Sequence, residues 1–478
     1  MPASVRGCRL AAMSFQTKTA RVAVIGGGVT GLTAAVELRR SGVDATVFER
    51  GARPGGVVAA AREGGWLREL GPNSLLEGSA EIAGFIDGLG LGPRRLYAAP
   101  AAKRRYIVRG GRPVPLPGSP LAFLTTRLFS WRAKLKLLGE PWRPRGRADR
   151  EETVADFVTR RLGPEFLDYA INPFVAGVYA GDPRRLSVPQ AFPRLFALEQ
   201  EHGSLIRGAL ARRNTGGGPK GRIFSFPGGL GEIAEAAAGQ LGTALRLGHD
   251  VRNVAHEGGR WRLAVAPEGR AETAEFDAVV CALPADALAA LPFTGVPGAE
   301  GLAILREIAH PPVASVFFGY KREQVAHPLD GFGMLMPEVE GGRILGTLFS
   351  STLFPGRAPE GHVALTTFIG GMRSPELAGL DDAGLHALVA EELGRLLGAR
   401  GQPVFFRVQR WPRAIPQYAP GYARFKEAMA AAERGASGLF LGGNCRDGIS
   451  LANCIGAGRR LAREAAAHVA GPANRAAN

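Results

Sequence analysis

Gly26, Gly28 and Gly31 stand in the G-x-G-x-x-G spacing, and Glu49 follows roughly 20 residues behind them. Glycines so placed let a tight turn bring its backbone amides against a pyrophosphate, held at the positive end of the helix that starts there. The carboxylate is the group that would accept a hydrogen bond from a ribose hydroxyl. Elsewhere the chain carries no H-E-x-x-H, no G-x-S-x-G and no Cys/His cluster at metal-ligand spacing. Metal is therefore not expected, and no general base stands out. The chemistry on offer is that of a bound dinucleotide.

Such glycines work only if flanking elements hold them. Residues 21–25 are rich in β-branched side chains, 26–28 turn, and 31–40 carry leucine and alanine at helical spacing before Gly42. With 44–49 as the next strand, this is the opening unit of a Rossmann-type sheet. A second glycine pair, Gly55-Gly56, comes directly after the acid in RPGG. Flavoproteins of the two-dinucleotide-binding type use such a pair to bring more backbone to the phosphates, which favours FAD over a free nicotinamide cofactor.

Further along, Ser79 precedes Ile82, Phe85, Ile86 and Leu89, a capped amphipathic helix, and 104–108 with 113–116 read as a hairpin. Residues 121–142 mix Leu, Phe and Trp with Arg and Lys at helical spacing. That pattern suits either one face of a core helix or a segment lying on an anionic membrane surface. Further helices are expected over 154–162 and 165–175. Strands are expected at 245–254, 261–265, 276–282, 313–320, 343–349 and 363–369, a helix at 385–397, and a strand, turn and helix over 438–469. The fold class that follows is α/β. Its Rossmann-type FAD-binding domain is built from three chain segments, 21–98, 226–298 and 434–472. A mixed-sheet second lobe takes 99–116 and 299–433, and a helical insertion, membrane-associating on the second of those readings, takes 117–225. Residues 1–20 read as a disordered extension, with Met13 a second candidate start, and 473–478 as a tail.

The 478 residues exceed what one core usually holds, and 46% apolar with 21% charged residues is ordinary for a globular chain. The net charge of +16 comes from arginine, since lysine occupies only seven positions. No nucleic-acid motif accompanies it, so nucleic acid is not an expected partner. Cys8, Cys281, Cys445 and Cys454 show no paired spacing, which fits a reducing, cytoplasmic setting. No apolar run reaches the roughly 18 residues of a membrane span.

Taken together, the motifs GGGVTGL at 26, ELGPNS at 69, KRRYIV at 103, GVYAGD at 177, EHGSL at 201, GFGMLMP at 331, IPQY at 415 and the late GGNC with CI resemble those of the oxygen-dependent protoporphyrinogen IX oxidases. These are flavoenzymes of the amine-oxidase-like superfamily that serve heme biosynthesis. The resemblance implies non-covalent FAD held by Gly26, Gly27, Gly28, Val29, Thr30 and Gly31, by Glu49 and Arg50, and by Gly55, Gly56 and Val57. Gly71, Pro72, Asn73 and Ser74 would join them, with Val251 beside the adenine and Ile449, Ser450 and Leu451 near the isoalloxazine. It implies a porphyrinogen cleft in which Arg105 pairs with a propionate, Phe332, Leu335 and Phe368 sandwich the macrocycle, and Asn73 and Gly177 line the walls. Three two-electron oxidations of protoporphyrinogen IX would follow, with O2 reduced to H2O2. A homodimer, peripheral on the cytoplasmic face of the inner membrane, is the corresponding expectation. Arg446 and Ala452-Asn453 depart from the family pattern near the flavin.

Other readings stay open: coproporphyrinogen oxidation, an amine oxidase, a carotenoid-type desaturase, or a non-enzymatic escort. Residues 411–421 hold no cysteine of the kind to which some amine oxidases attach FAD covalently. The intact set of Gly26, Gly28, Gly31, Glu49, Gly55 and Gly56 argues for a bound cofactor.

Overall fold

Residues 21–25 form a strand buried on both faces, as expected of a parallel sheet covered on each side. In this computed structural model, which describes residues 20–147, 150–214, 221–267 and 272–471, that strand is the centre of a five-stranded sheet. The order is 245–247, 44–49, 21–25, 278–281, 439–441, and every neighbouring pair is parallel. The sheet thus draws on three separated stretches of chain. Apart from Ala20, the expected extension and tail lie outside the described residues.

One face of this sheet is covered by the first helix, Val29–Arg40, and the last, Leu451–Ala470, whose Leu32, Val36, Ile455 and Leu461 share a core with Val22 and Val24. These helices meet closely because Gly458 has no side chain: a Cβ there would lie 2.4 Å from the Thr30 carbonyl oxygen. On the other face, Ala23 and Ile25 pack with Val251, Trp261 and Phe276 of a four-stranded sheet.

A seven-stranded sheet builds the second lobe, in the order 405–411, 313–321, 362–370, 346–348, 331–335, 104–109, 112–115. The helix Asp382–Leu397 covers one of its faces with Leu385, Leu388, Val389 and Leu393. The other face turns toward the nucleotide lobe. There Trp66 stacks on Phe405 at 5.4 Å and sits where a Cβ on Gly319 would be 2.4 Å from its ring.

Several sequence expectations are corrected. Residues 121–142 are not one helix: Pro120–Thr125 and Trp131–Leu138 are separate, because the Ser130 hydroxyl accepts from the Ala133 amide and starts a second helix. The helix expected over 165–175 runs from Pro164 to Tyr179 through a widened π turn at Leu167–Ile171, next to Pro173, which has no amide to continue the ladder. Arg222–Ser225, placed in the helical insertion by the sequence, is a strand between Leu75–Glu77 and Leu96–Tyr97. The strand expected over 343–349 shrinks to Gly346–Leu348. The last helix, expected over 454–469, begins at Leu451 instead, because Ser450 caps it by accepting from the Asn453 amide. Among the described residues, no helix is long and apolar enough to cross a membrane.

Candidate active site

The glycine turn is held shut by its own backbone. Gly26 donates to the Phe48 carbonyl at 2.9 Å, Gly55 donates to the Gly27 carbonyl at 2.8 Å, and Gly28 pairs with Gly55 as a parallel bridge. Gly26 has φ +104°, and a Cβ on Gly31 would lie 1.9 Å from the Gly26 carbonyl oxygen. Gly28 is different: nothing of the protein lies within 4 Å of where its Cβ would be. It is the N-cap of the first helix, with no side-chain cap and no acid in the first turn, so the helix presents unpaired amides to open space. Val29 and Thr30 begin that helix and are buried.

Glu49 accepts from the amides of Gly27 and Gly51, each at 2.7 Å and each on a different carboxylate oxygen. An ionised carboxylate has about four acceptor positions, so room for hydroxyl donors is left. Arg50 and Gly56 beside it are exposed, and Val57 is 54% exposed. A Cβ on Gly71 would lie 2.1 Å from the Val57 carbonyl oxygen, which ties the turn at 71–74 to the second glycine pair. In that turn Pro72 and Ser74 are half-buried, and Asn73 donates its amide to the Gly71 carbonyl at 3.1 Å. Val251 packs with Phe48, one residue from Glu49. Ile449 bridges the core of the four-stranded sheet and that of the helical insertion, while Ser450 and Leu451 open the last helix.

In the second lobe the expected ring-binding residues include a row of paired positions. Leu335 is opposite Gly346, and Gly346 opposite Phe368, so Leu335 and Phe368 project from one face with a gap between them. Leu335 is also pinned from above: a Cβ on Gly177 would lie 2.6 Å from its Cδ2. Phe368 packs with Ala176 and Ala180, from the same stretch as Gly177. Phe332 is three residues before Leu335 and would face the opposite way in a regular strand. A bulge between Gly331 and Met334 adds a residue and re-aims it, with Gly333 at φ +154°. Phe332 then joins Ala102, Leu353 and Phe354, and the last two border a small gap with Asn73 and Thr366. The Arg105 guanidinium lies 5.4 Å from the Phe332 ring centre. Its neighbour Arg104 is paired with Asp330, to which Tyr106 also donates, whereas exposed Arg105 has no ion-pair partner among the described residues.

The family model for flavin-containing amine oxidoreductases matches residues 29–466. The chain is 34% identical to protoporphyrinogen oxidase 2 of Arabidopsis thaliana over 92% of its length and 93% of the relative's. It is 27% identical to coproporphyrinogen III oxidase of Bacillus subtilis over 93% of its length and 97% of the relative's. The chain belongs to the flavin-containing amine oxidoreductase family. A crystal structure from Exiguobacterium sp. 255-15 shares its fold at TM-score 0.79 and 24% identity, covering 94% of this chain and 99% of that one. Reduced UDP-galactopyranose mutase does so at TM-score 0.72 and 18% identity, covering 96% and 99%.

This flavoenzyme is an FAD-dependent oxidoreductase, and the cradle fits the cofactor: Gly28 leaves space for a diphosphate, the first helix points amides into it, and Glu49 keeps acceptor positions for a ribose. Of the two cysteines near the last helix, Cys445 is buried and Cys454 half-buried. Burial pushes the Cys445 thiol up to about 12 and Cys454 up to about 11, so both stay protonated at neutral pH. Among the described residues no group of His, Cys, Asp and Glu is placed to hold a metal ion.

Sequence reasoning missed one buried tie beneath the flavin turn. Glu69, in the ELGPNS motif, is buried with Arg357 of the second lobe at 3.1 Å, and it also accepts from Ser225 and the Leu230 amide. Burial pushes the Glu69 carboxyl up to about 7, against the opposing pull of Arg357. The glutamate was visible in the motif. Its partner, 288 residues away, had no local signal.

Proposed function

We propose that this flavoenzyme oxidises protoporphyrinogen IX to protoporphyrin IX, with O2 as acceptor and H2O2 as the second product. The observation that carries the reading is Arg105: an unpaired cation resting on Phe332 at the edge of an apolar wall formed by Leu335 and Phe368. A large, otherwise apolar ring with two propionates on one side calls for such a wall and such a cation. The similarity to protoporphyrinogen oxidases over nearly the whole chain supports it. FAD supplies the two-electron redox chemistry. Arg105 binds the propionate, Phe332, Leu335 and Phe368 sandwich the macrocycle and exclude water, and Asn73 and Gly177 limit its position. No residue of the wall is a base, so the protein's contribution is orientation.

Coproporphyrinogen is the second reading, supported by the Bacillus relative. Its four carboxylates would ask for more cations than Arg105 alone supplies, which favours the dicarboxylate. Purified enzyme given either porphyrinogen, or a panel of amines, is expected to form porphyrin fastest from protoporphyrinogen. Porphyrin appearing no faster than by autoxidation would overturn the reading.

Arg105→Ala is expected to raise KM by roughly tenfold, the worth of one charge-assisted contact of about 1.4 kcal/mol, with kcat changed little. Unchanged steady-state kinetics would remove Arg105 from the site. We place the enzyme, as a homodimer, peripherally on an anionic membrane at its cytoplasmic face. The support is the apolar and basic surface of residues 116–142. Full activity in a high-speed supernatant without detergent would contradict that placement.

A further inference from the structure

The helical insertion carries a cavity of about 520 Å3, lined by none of Arg105, Phe332, Leu335 and Phe368. This lies within the roughly 300–1,000 Å3 of ligand-sized pockets. Phe123, Leu124, Trp131, Leu135, Leu137 and Leu138 supply most of the lining. Four of them lie open to solvent, Leu124 at 49%, Trp131 at 64%, Leu135 at 63% and Leu138 at 67%, with Leu121 at 72% and Trp142 at 77% close by in the chain. Apolar exposure so concentrated marks a surface that something covers.

The shape is built in. Lys134 is buried, and its ammonium donates to the carbonyls of Leu124 and Thr126, each at 2.8 Å, while lying 4.5 Å from the Trp131 ring centre. A lysine of the second helix thereby caps the end of the first and fixes the angle between them. The other polar side chain of the lining, Ser119, caps its own helix by accepting from the Ala122 amide.

That chemistry selects the occupant. A peptide entering the groove would bury amides and carbonyls that need partners, and the lining's two polar side chains are already engaged, Lys134 with two carbonyls and Ser119 with its own helix. A hydrocarbon chain needs none, and each buried methylene adds to its affinity. Arg127, between the two helices, and Arg132 and Lys136, on the second helix beside the lining positions, are exposed, and none has an ion-pair partner among the described residues. We propose that this groove takes one acyl chain of an anionic phospholipid, with those three cations meeting its headgroup. The inference rests on the membrane-surface reading above and deepens it from adsorption to a lipid site.

The test uses the purified holoenzyme and mixed vesicles of phosphatidylglycerol and phosphatidylcholine. After incubation, protein is separated by gel filtration without detergent, and phospholipid is quantified against flavin. Wild type is expected to keep a near-equimolar amount of phosphatidylglycerol. Leu138→Glu, which puts a carboxylate into the groove, is expected to keep at least about tenfold less, with flavin content and turnover unchanged. Leu124→Trp fills the groove without adding charge and is expected to lose the lipid as well, which covers the case that the glutamate variant fails to fold. Wild type that floats with vesicles but keeps no lipid would overturn the groove and spare the membrane reading. Equal retention of phosphatidylcholine, or lipid retained equally by both variants, would also overturn it, as would a dimer through this face that lipid does not compete away.

Discussion

Gly31→Val is expected to purify nearly colourless, with FAD affinity lower by roughly a hundredfold, about 3 kcal/mol. Even a first carbon on Gly31 would lie 1.9 Å from the Gly26 carbonyl oxygen and 3.3 Å from Val24 Cγ1. The carbonyl belongs to the turn itself, so relief comes only by opening the turn and displacing Gly26 to Gly28. Gly28→Ala makes the complementary case. Its φ of −69° suits any residue and nothing of the protein opposes the new methyl, so the apoprotein should keep its stability while flavin occupancy falls. Flavin absorbance per chain and thermal unfolding of both apoproteins check the pair. If Gly28→Ala keeps full flavin, the diphosphate does not approach the backbone there.

Arg357→Ala is expected to lose roughly 3–5 kcal/mol of stability at pH 8, because it strands Glu69 as a buried, unpaired charge. The loss should shrink as pH falls below 7, since the carboxyl can then take up a proton and become neutral. In wild type the same group has the opposite sign from a surface carboxylate. Its folded pKa is raised from 4.5 to about 7. The stability it contributes is therefore whole below pH 4.5 and is lost as pH rises toward 7, on the order of 3 kcal/mol by linkage. Glu69→Gln should flatten that slope. Chemical denaturation at pH 5, 6, 7 and 8, followed by flavin fluorescence, measures both effects. A wild-type stability that does not fall between pH 5 and 7, once other groups are subtracted through Glu69→Gln, would contradict the assignment.

Part of this was legible in the sequence because it is local. The turn at Gly26–Gly31, the acid at Glu49 and the late strand and helix each depend on neighbours a few residues away. The row of Leu335, Gly346 and Phe368 was not legible as a row. It depends on registers between strands, and Gly346 acts by lacking a side chain. The bulge that turns Phe332 toward Leu335 also needs the register to be seen, although the glycines of GFG hint at it. Residues 121–142 misled because Leu, Phe and Trp recur at helical spacing across Ser130, whose capping hydroxyl breaks the helix. Glu69 and Arg357 meet only because two lobes close on each other.

The central claim is that a porphyrinogen bound against Phe332, Leu335 and Phe368 gives its electrons to the flavin in the glycine cradle. Rapid mixing of oxidised holoenzyme with protoporphyrinogen IX under strict anaerobiosis tests it most directly. The account predicts loss of the oxidised flavin absorbance, with an oxidised tetrapyrrole appearing in step and both slowed at low substrate by Arg105→Ala. Flavin that stays yellow with protoporphyrinogen while an amine bleaches it would contradict the account.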